Sequence, residues 1–185
     1  MPSVDTVYPL VTDRLSIEPL AMRDLAAFVA YRQNSDVARY QSWDTSYSEE
    51  QAVALIDDQA GVLLPAKGEW LQLAVHSKES GQLLGDLAVH RIADEESAFE
   101  LGFTMAPEHQ GKGYAREAAA KLLDYLFTSA GAQKVIACTD RRNESSMRVL
   151  LALGFEAVPE KTWTEEFKGE TVTVDYFEKK YREKQ

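Results

Sequence analysis

Two glycines, Gly111 and Gly113, lie between an apolar stretch that ends at Met105 and a predicted helix that begins at Tyr114. Because glycine has no side chain, the peptide N–H groups around these residues can approach an anion closely. The helix that follows adds its unpaired N-terminal N–H groups and the positive end of its dipole. The pattern indicates a phosphate-binding loop, and a strand-to-helix turn that binds nothing is the alternative.

This loop matches neither of two common phosphate motifs. A dinucleotide-binding fingerprint requires Gly or Ala at the position of Arg116, and a Walker loop requires a Gly-Lys-Ser/Thr run that is absent here. Residues 106–150 carry seven basic and five acidic side chains, net +2, whereas the rest of the chain carries −12. A positive region in an acidic protein suits a small polyanionic ligand, although a scattered solvated surface gives the same sum.

Composition excludes several classes of function. A net charge of −10 repels nucleic acid, so we expect no nucleic-acid partner. No apolar run approaches the roughly 18 residues of a membrane helix, and no membrane association is expected. Cys138 is the only cysteine, so no intrachain disulfide can form and the cytoplasm is the expected location. The histidines, His76, His90 and His109, lack metal-site spacing, so no metal is expected.

The elements that must position the loop follow from hydrophobic periodicity and from turn residues. Strands are predicted at 12–18, 70–76, 82–92, 98–105, 134–139, 155–158 and 171–177. Helices are predicted at 22–33, 48–59, 114–130 and 143–151. An acidic, aromatic loop is expected at 160–170. With 45% apolar residues and no linker, residues 1–185 are predicted to form one α/β (α+β) domain with a structured core at about 10–180.

Four blocks of sequence, in order, carry a family resemblance. Gln110–Ala115 matches the Q/R-x-x-G-x-G/A signature of the GNAT superfamily of acyl-CoA-dependent N-acetyltransferases. Thr12–Leu15 resembles the family's opening strand, and Glu100–Phe103 the strand before the signature. Asn143–Leu150, with Leu153–Phe155, resembles its later helix. The combination is most similar to the branch that contains the ribosomal-protein alanine N-acetyltransferases.

The resemblance implies a mixed, mostly antiparallel sheet of six to seven strands, splayed at an acyl-CoA site and flanked by about four helices. Acetyl-CoA is the implied cosubstrate, with main-chain groups of Phe103, Thr104 and Met105 on its pantetheine. Asn143 matches a pantetheine contact, and a helix N-cap is its alternative role. The implied diphosphate-binding residues are Gln110, Gly111, Lys112, Gly113, Tyr114, Ala115 and Arg116.

The implied chemistry is direct attack of an amine on the acetyl thioester. A lysine amine has a pKa of about 10.4 and is protonated at neutral pH, so a base that removes its proton is useful. Glu100 is the candidate base, and an exposed surface carboxylate is its alternative role. The N–H of Met105 is the candidate donor to the oxyanion. Leu150 occupies the position where many relatives have a tyrosine acid. Ser146 is therefore the candidate acid, unless its hydroxyl bonds to the helix backbone.

The acceptor side is predicted from aromatic and acidic residues. Tyr40, Trp43, Tyr47 and Trp163 are predicted to wall an acceptor pocket, and the nearby glutamates would attract a cation. The alternative is a solvated hairpin tip with scattered aromatics. Cys138, without an adjacent histidine, is expected to be inert.

The predicted function is transfer of acetyl to a primary amine, either a protein N-terminus or a small cationic amine. A non-catalytic acyl-CoA-binding or sensing module is the alternative, and a purely structural domain is a third reading. The fold leaves the acceptor and the oligomeric state open, a homodimer being one option.

Overall fold

The computed structural model describes residues 7–183, in which nine strands form one sheet. The strands are β1 (Leu10–Val11), β2 (Leu15–Pro19), β3 (Trp70–Ser77), β4 (Leu83–Arg91), β5 (Ala98–Met105), β6 (Lys134–Asp140), β7 (Glu156–Ala157), β8 (Trp163–Phe167) and β9 (Glu170–Lys180). The α-helices are α1 (Leu25–Arg32), α2 (Ser35–Ala38), α3 (Glu49–Asp58), α4 (Tyr114–Thr128) and α5 (Glu144–Ala152).

The sheet has the order β1-β2-β3-β4-β5-β6-β9-β7, and β8 pairs with β9. All of these pairings are antiparallel except that of β5 with β6. The mixed, mostly antiparallel sheet is therefore confirmed. The expected count of six to seven strands was low, because β1 is too short and β8 too exposed to show in the hydrophobic pattern.

Two apolar cores lie on the two faces of the sheet. On one face, Phe99 and Leu101 of β5 pack in a cluster with Ala118 and Leu122 of α4. On the other face, Phe28 of α1 belongs to a second cluster that also includes residues of α2 and α3. Because side chains alternate along a strand, Glu100 lies on the face opposite Phe99 and Leu101. Over the described range, no helix is long and apolar enough to cross a membrane.

The bounds of the elements around the glycine loop agree with the sequence prediction. Strand β5 covers residues 98–105, and α4 begins at Tyr114 directly after Gly113. The strand expected at 12–18 is β2, which begins only at Leu15 because the N–H of Thr12 donates to the carbonyl of Leu15 (2.9 Å) and closes a turn. The helix expected at 22–33 divides into a 3₁₀ turn, Met22–Asp24, and α1.

The segment expected to be a loop at 160–170 is instead the start of a β-hairpin. Strands β8 and β9 are antiparallel and join at Lys168 and Gly169, whose φ angles are 50° and 80°. Two consecutive positive φ values are typical of the tight turn that matches the twist of a hairpin. β8 is mostly exposed, so it has no apolar alternation from which to predict it.

Candidate active site

The sheet opens between β5 and β6. Residues 98–100 of β5 pair in parallel with residues 134–136 of β6, and the pairing stops there. β5 nevertheless continues to Met105 and β6 continues to Asp140. Beyond the pairing, two strand edges therefore face each other across a gap near the middle of the sheet, which is the predicted splay.

The alternation of main-chain hydrogen bonds decides which peptide groups of β5 face this gap. In antiparallel strands, pairs that exchange hydrogen bonds alternate with pairs whose N–H and C=O groups point outward. The N–H of Ala106 donates to the carbonyl of Leu84 (2.9 Å), which makes Met105 and its partner Gly85 a pair of the second kind. The N–H of Met105 and, two residues earlier, that of Phe103 therefore point into the gap.

Thr104 lies between these two residues, and the structure corrects the expectation for its main chain. It is opposite Asp86 in the register, so it belongs to a pair that exchanges hydrogen bonds with β4. Its N–H and C=O are therefore directed at β4. Thr104 still lines the gap, where a ligand would meet its side chain rather than its peptide groups.

Two features hold the end of β5 in place. A Cβ atom on Gly85 would lie 2.2 Å from the carbonyl oxygen of Thr104, so only glycine permits this approach of β4 to β5. The side-chain amide of Gln110 donates to the carbonyl of Met105 (3.1 Å) and connects the glycine loop to the strand. Gln110, predicted to bind the diphosphate, thus also fixes the loop relative to the Met105 N–H.

The glycine loop presents a row of uncommitted donors. Gly111 and Gly113 have φ angles of 73° and 80°, a region that side chains disfavour. Within residues 7–183, no N–H group from Gly111 to Arg116 donates to a protein acceptor. A Cβ atom on Gly111 would meet no heavy atom within 4 Å, so the space above it is open. This arrangement can hold a diphosphate by main-chain hydrogen bonds.

Side chains near the loop contribute unequally. Arg116, in the first turn of α4, lines the gap, where its charge adds to the positive end of the helix dipole. Lys112 was predicted to bind the cofactor, but it is not among the residues that line the gap. Its carbonyl instead accepts a hydrogen bond from the Arg14 guanidinium (3.0 Å), on the other side of the loop.

The gap widens into a cavity of about 790 Å³, within the usual range for small-molecule sites. Every predicted cofactor-binding residue except Lys112 lines this cavity. The predicted catalytic residues Glu100, Ser146 and Met105 also line it, as do Tyr40 and Trp163. Residues from widely separated parts of the chain therefore meet where β5 and β6 diverge.

Helix α5 borders the cavity through Asn143 and Ser146. The Asn143 side-chain oxygen accepts from the N–H of Ser146 (3.2 Å), so Asn143 is the N-cap of α5, and it also lines the cavity. The Ser146 hydroxyl makes no hydrogen bond to another residue in the described range, so the backbone-bonded alternative does not hold there. Leu150, where many relatives have the tyrosine acid, is buried in the core.

Glu100 is held at the point where the two strands separate. Its carboxylate lies 3.3 Å from Nδ1 of His90, which is directly opposite in the register of β4. The His90 ring in turn stacks on Trp70, with centroids 4.6 Å apart. His90 was not predicted as a partner of Glu100, although the register could have been read from the turn that joins β4 to β5.

Cys138 of β6 also lines the cavity. Burial, together with the charges of Glu100 and Glu165, raises the pKa of its thiol from 9.0 to about 12. A protonated thiol is a poor nucleophile, in agreement with the expectation that Cys138 is inert. Glu100 of β5 and Glu165 of β8 line the same cavity as Cys138.

The side of the cavity that was predicted to hold the acceptor has two walls. One contains Tyr40, in the segment after α2, and the other contains Trp163 and Glu165 of β8. The Trp163 indole N–H donates to the Glu165 carboxylate (3.0 Å) and orients it. Lys168, at the hairpin tip, connects the two walls because its ammonium donates to the Ala38 carbonyl (2.6 Å).

Trp43 and Tyr47 do not line this cavity, in contrast to the prediction. Tyr47 is buried in the second core, and Trp43 packs against it. Their rings surround the buried guanidinium of Arg32, whose carbon lies 3.7 Å from the Trp43 centroid and 4.9 Å from that of Tyr47. Arg32 also pairs with buried Asp86, so these aromatics shield a buried ion pair.

The family comparison agrees with this geometry. Residues 14–156 match the model of the acetyltransferase (GNAT) domain. The chain belongs to the GNAT acetyltransferase family. It is accordingly an acyltransferase of the N-acetyltransferase type, and the predicted family is confirmed.

Relatives of this GNAT acetyltransferase match along most of their length. An uncharacterized N-acetyltransferase, YoaA, of Bacillus subtilis (strain 168) is 29% identical over 81% of this chain and 84% of its own. A GNAT-family acetyltransferase from Bacillus anthracis has a TM-score of 0.79 at 25% identity, over 92% of this chain and 96% of its own. Spermidine N-acetyltransferase from Vibrio cholerae, solved with CoA and spermine, has a TM-score of 0.78 at 22% identity, over 91% and 96%.

Proposed function

We propose that this GNAT N-acetyltransferase binds acetyl-CoA in the gap between β5 and β6 and transfers its acetyl group directly to the primary amine of a small cationic molecule. The observation that carries this proposal is the row of uncommitted N–H groups from Gly111 to Arg116, which continues into the N–H groups of Met105 and Phe103 that face the same gap. In acetyl-CoA the diphosphate is followed by the pantetheine arm, and both accept hydrogen bonds. The loop N–H groups and those of β5 offer donors to these two parts in the same order.

Different residues are proposed to bind different parts of acetyl-CoA. The loop amides and Arg116 hold the diphosphate, since anions bind well at helix N-termini. The gap-facing groups of β5 and the side chain of Asn143 hold the pantetheine. The N–H of Met105 then lies where it can stabilise the oxyanion that forms as the amine attacks the thioester carbonyl.

Glu100 is the proposed base. Only an unprotonated amine can attack, yet a primary amine with a pKa near about 10.4 is almost fully protonated at neutral pH. Glu100 can accept the ammonium proton directly or through one water, and His90 orients its carboxylate. Ser146, with its hydroxyl free on the cavity side, is the proposed proton donor to the departing thiolate.

The acceptor is proposed to be cationic because the cavity places carboxylates beside aromatic rings. Glu100 and Glu165 approach from two sides, and Tyr40 and Trp163 offer aromatic faces that favour ammonium groups. The chain's net charge of −10 adds a long-range attraction for cations. The Vibrio cholerae spermidine N-acetyltransferase, solved with CoA and spermine, supports a small amine as the first class to test.

The experiment measures release of free CoA thiol from acetyl-CoA across a panel of amines that includes diamines, polyamines, aminoglycosides and a peptide with a free N-terminus. We expect saturable release with a small polycation at neutral pH. Acetyl-CoA binding without release from any amine would favour the non-catalytic sensing module. Absence of saturable acetyl-CoA binding at millimolar concentration would refute the donor site itself.

Glu100→Gln tests the proposed base. We expect kcat/KM to fall by roughly 100-fold or more at pH 7 and by less at high pH, where free amine is already abundant. Glu178→Gln is the matched control, because its carboxylate is 19% exposed, compared with 25% for Glu100, and it lies on β9, two strands away from Glu100 and outside the cavity. Equal rates for the Glu100→Gln variant and the wild type at every pH would contradict the assignment.

A further inference from the structure

The opening motif Thr12–Leu15 lies behind the glycine loop, about a hundred residues away in sequence. The Arg14 guanidinium donates from Nη1 to the Lys112 carbonyl (3.0 Å) and from Nε to the Glu117 carboxylate (2.7 Å). Lys112 is inside the loop, and Glu117 is one helical turn beyond it. The Arg14 side chain, from the turn before β2, therefore contacts both ends of the segment that carries the uncommitted N–H groups.

Glu117 completes the attachment by accepting from three groups at once. Its second oxygen accepts from the Thr12 hydroxyl (2.8 Å) and from the N–H of Arg14 (3.2 Å). Burial would raise the pKa of Glu117, but the hydrogen bonds from Thr12 and Arg14 outweigh it and keep that pKa below its ordinary value. The carboxylate is therefore charged at neutral pH, and both of its oxygens are occupied.

Arg14 also packs beneath the middle of the loop. Its guanidinium carbon lies 4.5 Å from the centroid of the Tyr114 ring. A Cβ atom on Gly113 would lie 3.4 Å from Nη2 of Arg14. Arg14 thus contacts the Lys112 carbonyl and the Tyr114 ring, and it fills the space where a side chain on Gly113, between them, would lie.

These contacts indicate that Arg14 positions the glycine loop and does not bind the anion itself. Arg14 is not among the residues that line the cavity, and its charge is compensated by Glu117. A guanidinium that bound phosphate would instead point into the gap with its charge uncompensated. Arg14 holds the carbonyl of Lys112, which does not line the cavity, while Gly111 and Gly113 on either side of Lys112 do line it.

We propose that Arg14, paired with Glu117, is a positioning residue for the diphosphate-binding loop, which aims the amides of Gly111–Arg116 at the diphosphate of the donor. The proposal rests on the proposed acetyl-CoA site. Loss of Arg14 should weaken binding of a donor that carries a diphosphate and leave a donor without one unaffected.

The experiment compares acetyl-CoA with S-acetyl-pantetheine, which has the thioester and the pantetheine arm but no diphosphate. For Arg14→Ala we expect KM for acetyl-CoA to rise roughly 10-fold or more, the equivalent of about one charge-assisted hydrogen bond, with kcat little changed. The value of kcat/KM for S-acetyl-pantetheine should equal that of the wild type. Arg14→Lys, which keeps the charge but not the forked donor, should restore part of the loss.

Lys67→Ala is the control, since Lys67 and Arg14 are both 47% exposed and both pair with a glutamate, but the partner of Lys67 is Glu96, between β4 and β5, and not Glu117 of α4. It should leave both donors unaffected. Equal losses with both donors in the Arg14→Ala variant would show general structural damage and overturn the proposal, as would wild-type KM for acetyl-CoA. If Arg14→Ala does not fold, Arg14→Lys and Glu117→Gln carry the same comparison. Failure of the wild type to bind acetyl-CoA would instead refute the proposed function.

Discussion

Replacing Gly111 with alanine separates the loop's ligand-binding role from its backbone conformation. Gly111 has a φ of 73°, and a left-handed conformation costs an L-residue roughly 1–2 kcal/mol. Part of this cost is offset because alanine also restricts the unfolded chain, by about 0.4–1 kcal/mol. No neighbouring atom lies within 4 Å of the added Cβ, so no steric term is added. We expect Gly111→Ala to lose about 1 kcal/mol of stability and to remain folded.

Gly131→Ala supplies the matched control at the other end of α4. Gly131 has a φ of 76°, and its added Cβ would also meet nothing within 4 Å. The two variants should therefore show similar falls in unfolding temperature, roughly 2–4 °C for a chain of this size. Only Gly111→Ala adds a methyl group in the space proposed for the diphosphate.

The assay is the KM for acetyl-CoA, with thermal unfolding measured in parallel. If the methyl group breaks one or two charge-assisted hydrogen bonds of about 1.5 kcal/mol each, KM should rise roughly 10- to 100-fold in Gly111→Ala. Gly131→Ala should keep the wild-type KM. If both variants have the same KM, the loop does not hold the diphosphate, and the central assignment of the donor site is refuted.

Two further predictions concern ionisable groups near the cavity. Because burial raises the pKa of Cys138 to about 12, its alkylation by iodoacetamide should be slow and should still rise about tenfold per pH unit from pH 8 to pH 10, whereas the rate for the unfolded chain should level off above its thiol pKa of about 8.5. Hydrogen bonds from Arg142 hold the pKa of Asp140 below its ordinary value. The Asp140 carboxylate therefore stabilises the fold above its unfolded-state pKa of about 3.9, and this stabilisation is lost as pH falls through its pKa in the folded protein. Asp140→Asn should therefore lower the unfolding temperature at pH 7, and this difference from the wild type should shrink below about pH 4.

The elements that build the proposed acetyl-CoA site could be predicted because their signals are local. Phe99, Leu101 and Phe103 alternate with small or polar residues, which predicts β5 with its observed bounds. Gly113 before an alanine-rich stretch predicts the start of α4. The donor loop needs only these two elements and the glycines between them, so a short window of sequence contains most of its geometry.

The proposed acceptor side was less predictable because its residues are positioned by tertiary contacts. Trp43 and Tyr47 were predicted to line a pocket, but they pack around Arg32 instead. A signal for this was present, since Arg32 lies at helical spacing with the apolar residues of α1 and therefore had to be buried with partners. Strand β8 carried no such signal, because an exposed edge strand has no apolar face.

Contacts between distant segments required the structure. The pairing of His90 with Glu100 follows from the register of one hairpin, and a careful alignment of its two strands would have found it. The pairing of Arg14 with Glu117 joins segments about a hundred residues apart, so no local pattern predicts it. The motif around Arg14 was recognised in the sequence, but its position behind the glycine loop depends on the whole sheet.

The short pairing between β5 and β6 also affects how the sheet exchanges hydrogen with water. Phe103 and Met105 have N–H groups directed into the gap, whereas the N–H groups of Gly102 and Thr104 are bonded to β4. Slow and fast exchange should therefore alternate residue by residue along a single central strand. Hydrogen exchange can therefore report on binding, because any molecule that bridges the gap between β5 and β6 would protect every second amide of this segment and leave the amides between them unchanged.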